Sequence, residues 1–552
     1  MKNKLLKQIA IISVLLFIST SYADDINTLP YLRIPIDVQT KSVDPTFAYY
    51  EATIELTEQL FLGLVGFEYQ NSQLKVVPEI ARDWHMDKNG IVYRFHLRDD
   101  IYWVKGISGE RVRSVTAQDI VWAIQRNIDP ETDAPYAFIL YVLKNGQAIH
   151  SGKIKETSAI GAKAIDDYCI EFELENPASF FPSLLTLWIF KPLPQERIKA
   201  FGEKWVDPEN IWTNGPYIMD EWQKYWRMNF KKNQHYYRKD QVRIPELHYY
   251  IVPESFAGLH MYKENKLDII GDGFLRLPAS ELFNIANDTQ LANQFFTVPR
   301  YFTYCFLLNT KRPPLNNASF RKAISLCIDR FMLVDIITHG KEIPSQTFTP
   351  PFLIGLDPIK KDNNTFGIQF SPEKAKTLLK QEKYNPKDIP ELILMHPVSE
   401  LHTTIAKAFA SFLNHYLKIK VSIIEERWEK YSEIAFQPDR ESAPHITPLG
   451  WGADYLDAHN WLNDAFSYSQ GFTAWKNKQY NQFVALAGQS SDTNKRNELY
   501  QQAETILVQK QCVIVPIFFE TAKYLIKPRV KNWFFLPTYG QQLKDWSLDS
   551  AL

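Results

Sequence analysis

Two aspartates three positions apart, Asp454 and Asp457 in Trp451-Gly-Ala-Asp-Tyr-Leu-Asp457, are the first residues of this chain whose spacing suggests chemistry. Paired carboxylates can serve glycoside hydrolysis as acid and base or acid and nucleophile, and an aromatic content of 14% would suit stacking on sugar rings. A pair alone supplies no mechanism, and other enzymatic signatures fail. There is no G-x-S-x-G elbow and no H-E-x-x-H. Gly146 to Lys153 superficially resembles a phosphate loop, but five residues instead of four separate Gly146 from Gly152, and Ile154 stands where Ser or Thr is required. Cys169, Cys305, Cys327 and Cys512 form no C-x-x-C and have no His at zinc-finger spacing, so no metal site is expected. Each lies in an apolar stretch, which points to buried thiols, although an exported chain could oxidise them, and the sequence leaves their pairing open. With no nucleophile–base pair, the reading is of a protein that is not an enzyme and carries no cofactor.

The chain begins as an exported protein would. Lys2, Lys4 and Lys7 precede an apolar run from Ile9 to Ile18 that ends in Ser21-Tyr22-Ala23, so residues 1–23 are read as a cleaved signal peptide and the mature chain as starting near Asp24. The run is shorter than a bilayer span, and no cysteine near the cleavage site could carry a lipid. A freely soluble exported protein is the expectation. Cleavage removes three Lys and no acid from a formal net charge of −1, leaving −4, which lacks the basic excess of a nucleic-acid-binding protein.

A length of 552 residues exceeds what one hydrophobic core serves, so several lobes are expected. Asn89-Gly90 reads as a turn before a strand in which Tyr93, Phe95 and Leu97 alternate with more polar residues. Thr116 is placed to cap a helix through Ile120 and Ile124, with Asp119 near the positive end of its dipole. Ser371-Pro372-Glu373 opens another helix, with Ser371 expected to cap it, Pro372 pre-set at its first position, and Ala375, Leu378 and Leu379 on one face. Leu401–Leu417 reads as a helix followed by a strand from Val421 to Ile424. Helices and strands mixed in this way predict an α/β fold with partly parallel sheets and flanking helices.

Seven stretches then resemble one family in its own order: Val77–Trp84, Phe95–Arg98, Val115–Ile120, Thr213–Tyr217, Phe320–Ala323, Asp329-Arg330 and Trp451–Tyr455. The chain is similar to the family 5 extracellular solute-binding proteins, the peptide-binding components of ABC importers, and most of all to their oligopeptide-binding branch. The resemblance implies a two-lobed periplasmic binding protein, type II-like with an extra domain, that closes about a hinge. Lobe I would combine residues 24–61, 187–300 and 522–552, the extra domain II would be 62–186, and lobe III would be 301–521. It further implies a monomer that takes short peptides and meets the importer's membrane permease subunits.

The same resemblance assigns the site. Asp454 falls where the family receives the ligand α-ammonium, Trp451 and Gly452 lie on a strand lining the cleft, and Trp428 matches an aromatic beside a side-chain pocket. Tyr49 and Tyr50 align loosely with the opposing strand of lobe I, and His402 is retained from a cationic set that meets the ligand carboxylate. A surface or helix-capping role for Asp454 and a core role for the two tryptophans are the alternatives. Ala435 and Pro448 stand where relatives place basic residues, so the cationic clamp is thinned, with Arg440 the one nearby candidate to compensate. Phe302 and Gly452 replace a disulfide found in some relatives. Another solute on the same fold, such as a murein peptide, metal chelate, haem or sugar, and a ligand-sensing receptor remain open readings.

Overall fold

Tyr93, Phe95 and Leu97 are buried along the strand Val92–Leu97, and Gly90 supplies the positive φ of the turn before it. The computed structural model describes residues 30–37, 40–70, 73–338, 342–356, 366–385, 387–435, 441–466, 473–538 and 540–549; the expected signal peptide and Arg440 lie outside them. Local signals set several further elements. Thr116 and Asp119 form a reciprocal capping box on the helix Ala117–Ile128, with the Thr116 amide donating to Asp119 Oδ2 at 2.9 Å. Ser399 caps the helix Glu400–Leu417, and the strand Val421–Glu426 follows. Ser371 does precede the helix Pro372–Gln381, but its side chain makes no capping bond; the fixed φ of Pro372 at the first turn suits the helix start instead.

The apolar interior divides into two large cores. One runs from Leu32 through Phe274 and takes in Ala522–Trp546, with Tyr455 joining it from the far side. The other is drawn from residues between Tyr304 and Phe518. Among the described residues, a four-stranded sheet with Tyr31–Ile36 parallel to Glu246–Ile251 belongs to the first core, as does an antiparallel sheet of Ala81–Met86, Val92–Leu97, Cys169–Glu173 and Ala162–Asp166. A seven-stranded mixed sheet supports the second core, with Leu392–Pro397 parallel to Val421–Glu426 and the strand Ile446–Gly452 antiparallel to Phe295–Leu308. This is the expected mixed α/β architecture.

Two long strands, Phe295–Leu308 and Ile514–Ile526, serve both cores. Phe296, Val298, Ala522 and Tyr524 pack into the first, whereas Tyr304, Phe306, Val515 and Phe518 pack into the second. Their register breaks between Pro299 and Thr303, at the crossover, where Arg300 pairs with Glu51 and Lys523 Nζ meets Glu342 at 2.6 Å. Phe302 is the direct partner of Gly452 across the adjacent strand pair. Its ring covers Gly450, where an added Cβ would meet Phe302 Cζ at 2.3 Å and push the ring aside. All four cysteines are free thiols; Cys305, Cys327 and Cys512 are buried and Cys169 is half-buried.

Glu55, 1% exposed in the first core, accepts from the Gln541 amide at 2.6 Å and from Tyr249 Oη at 3.0 Å, and burial raises its pKa to about 8. A folded-state pKa above the unfolded value means the unfolded chain loses its proton first, so stability falls as pH rises through this window. His402, His445 and His459, lowered to about 4 by burial, act in the opposite sense, but only up to about pH 6.5. The melting temperature therefore falls between about pH 6.5 and 8, by up to ~1.4 kcal/mol of stability per pH unit from this group. Glu55→Gln should flatten a melting series over that range; an unchanged slope would remove Glu55 as its source.

Candidate functional site

The strand Ile446–Gly452 delivers Trp451 to the edge of a cleft, and the chain then turns to present Asp454. The cleft encloses about 660 Å³ between residues 138–184 on one side and 451–489 on the other. Its wall is aromatic, with Phe138, Tyr141, Phe180, Trp451 and Tyr455, and carries the carboxylates of Asp454 and Asp464. Phe180 bridges the sides, stacking on His459 at 4.0 Å and on Tyr455 at 5.6 Å.

Asp454 is half-buried. Its Oδ2 accepts from Asn460 Nδ2 and its Oδ1 from Tyr136 Oη, both at 3.3 Å, while its backbone amide donates to Asn460 Oδ1. Burial raises its pKa to about 6, the two hydrogen bonds opposing the shift. No Lys or Arg among the described residues forms an ion pair with it. Asp457, three residues on, has a different setting. It is buried and engaged by Arg496 and by Tyr500 Oη at 3.3 Å, so the two carboxylates do not act as a pair. That removes the glycoside-hydrolysis geometry, which needs both groups facing one bond.

Of the residues expected at the site, Trp451 and Asp454 share the cleft, and Trp451 Nε1 donates to the same Asn460 Oδ1 at 3.2 Å. Gly452 ends that strand, half-buried opposite Phe302. Trp428 opens the helix Trp428–Ala435 with 59% of its surface exposed, which sets aside a core role for it. The rings of Tyr49 and Tyr50 lie 3.8 Å apart and tilted by 39° to each other, both exposed, and Tyr50 is the residue before the helix Glu51–Leu60. They occupy a helix entry, not the strand that the resemblance implied. His402 shares a 2.7 Å hydrogen bond with Tyr304 Oη, and burial beside His396 lowers its pKa to about 4. It is neutral at pH 7 and supplies no cation. Ala435 and Pro448 are both buried, with the Pro448 carbonyl accepting from Tyr431 Oη at 2.6 Å.

Tyr136, Asn460 and Asp464 were not expected at the site. Tyr136 is 318 residues from Asp454, a separation that leaves no local signal. Asn460 and Asp464 are closer, in the π-helical turn Asn460–Asp464, and their i, i+4 spacing puts both on the face toward Asp454.

Comparison with known proteins finds relatives over most of the chain. The probable deoxycholate-binding periplasmic protein YgiS of Escherichia coli is 29% identical over 89% of this chain and 88% of the relative. The periplasmic oligopeptide-binding protein OppA of Salmonella typhimurium is 28% identical over 90% of this chain and 88% of its own. The unliganded open form of MppA, a periplasmic murein tripeptide binding protein, superposes with a TM-score of 0.81 at 26% identity, covering 94% of this chain and 97% of that one. No helix among the described residues is long and apolar enough to cross a membrane. A model of the bacterial extracellular solute-binding proteins, family 5, matches residues 75–473, and the chain belongs to that family.

Proposed function

We propose that this chain is the periplasmic peptide-capturing subunit of an ABC importer, which encloses short peptides between lobe I and lobe III and holds their α-ammonium on Asp454. The observation that carries the reading is Asp454 itself: a half-buried carboxylate at an aromatic cleft, with no ion-pair partner among the described residues and a pKa raised by burial. Such a group is costly until a cation joins it, and an α-ammonium is the cation that every unblocked peptide carries. The lobes are those given by residues 24–61, 187–300 and 522–552, with 62–186 as the extra domain and 301–521 as lobe III. The two shared strands then form the hinge, and their broken register at Pro299–Thr303 is where bending concentrates. Residues 1–23 act as the export signal, and the mature protein works as a monomer that docks on permease subunits.

An anionic amphipath, as the name of YgiS suggests for that protein, fits less well, because the cleft offers it three carboxylates and no described Lys or Arg. Native mass spectrometry of protein purified from its source tests the reading. Masses of a mixture of short peptides are expected; a single non-peptide mass overturns it.

A further inference from the structure

Asp464 places a second carboxylate in the same cleft as Asp454. Both accept from one amide nitrogen, Asn460 Nδ2, at 3.0 Å for Asp464 and 3.3 Å for Asp454. Asp464 also accepts from Tyr455 Oη at 2.8 Å and Asn463 Nδ2 at 2.9 Å, so its position is fixed before any ligand arrives. Its nearest basic group is His459 Nδ1 at 3.9 Å, and that ring is already hydrogen-bonded to Tyr455 Oη at 2.8 Å and held neutral by burial, with a pKa of about 4. Arg496 is taken by Asp457. Across the cleft, domain II contributes Tyr136 on Asp454, Tyr141 hydrogen-bonded to His150, and a third carboxylate, Glu175. No Lys or Arg among the described residues lines the cavity.

One α-ammonium neutralises one carboxylate. The remaining charge lies beside aromatic faces, Phe138, Phe180 and Tyr455 among them, which attract cations and accept methylene stems. We infer that Asp454 and Asp464 together form a two-carboxylate subsite for ligands with two positive charges at the amino end, that is, peptides whose first residue is Lys, Arg or a similar diamino acid. This rests on the peptide reading and adds a preference to it. The first side chain lays its stem on the aromatic wall and its cationic head on Asp464.

Asp464, raised to about 7 by burial, is partly protonated at neutral pH, so a cation arriving there displaces a proton. The tripeptides Ala-Ala-Ala, Lys-Ala-Ala and Nε-acetyl-Lys-Ala-Ala provide the test, titrated calorimetrically at pH 7 in two buffers of different ionisation enthalpy. Lys-Ala-Ala is expected to bind at least about tenfold more tightly than Ala-Ala-Ala and to release more protons, and ε-acetylation should cancel both gains. The α-ammonium contributes alike to all three, so the difference isolates the second site. In Asp464→Asn the Lys-to-Ala affinity ratio falls toward one; a purely structural Asp464 would weaken every peptide and leave the ratio intact. Equal affinities for the three peptides overturn the second subsite while leaving the role of Asp454 standing. Binding of none of them overturns the peptide reading and this inference with it.

Discussion

Acetylating the amino terminus of a peptide that binds well should weaken its binding by at least about 100-fold, whereas amidating its carboxyl terminus should cost far less. Removing one partner of a buried charge pair costs on the order of 3–5 kcal/mol, and 100-fold corresponds to about 2.7 kcal/mol, which allows for Asp454 being only half-buried. At the other end, the positions that resemblance makes cationic hold Ala435 and Pro448, and His402 is neutral because burial lowers its pKa to about 4. A carboxylate met by water or by neutral donors contributes much less than one in a dry ion pair. The pH dependence has a fixed sign. Asp454 titrates at about 6 and must be ionised to hold an ammonium, so affinity falls as pH drops through 6. Titration of one peptide in free, acetylated and amidated forms, against wild type and Asp454→Ala, measures the asymmetry. Equal losses from both blocked termini would reveal an unrecognised cationic clamp; unchanged affinity on acetylation would take Asp454 out of the site.

What the sequence made legible follows the reach of the forces involved. The strand Val92–Leu97, the capping box at Thr116 and the helix Glu400–Leu417 could be read because periodicity and capping act within a few residues. The mixed α/β architecture followed from the same local signals, and the family from motifs spread over much of the chain. The contribution of Ser371 was misjudged: it stands at the cap position, but its backbone, at φ −159° and ψ 79°, goes with a hydroxyl that makes no capping bond. The shared strands were beyond a local reading, since nothing within Phe295–Leu308 announces that its two halves pack into different cores. The surroundings of Asp454 were hidden for the same reason. The type and position of the residue were visible, but its partner Tyr136 lies 318 residues away, and the neutrality of His402 depends on burial that only the folded chain creates. Asp464 was within reach of a helical-spacing argument from Asn460, but nothing in the sequence marked that turn as facing the cleft.

The two aspartates that first drew attention should part company when mutated. Asp457 is buried and holds Arg496, itself mostly buried, together with Tyr500 Oη; its Oδ1 also accepts from the His459 amide at 2.9 Å. Asp457→Ala strips the partner from a buried guanidinium that the surrounding fold holds in place, and the cost of breaking such a pair from one side is about 3–5 kcal/mol. The loss acts where the helix Thr493–Glu504 packs under the turn that carries Asp454, so the variant should melt well below wild type. Asp454→Asn removes a charge that has no described cation and that burial already disfavours, so its melting temperature should match or exceed that of wild type while peptide affinity collapses. Thermal melts of both variants, with and without peptide, decide the matter. Wild-type stability in Asp457→Ala would mean that the Arg496 pair contributes nothing net. A strongly destabilised Asp454→Asn would return Asp454 to a structural role, because a carboxylate kept for binding is one that the empty fold tolerates at a cost.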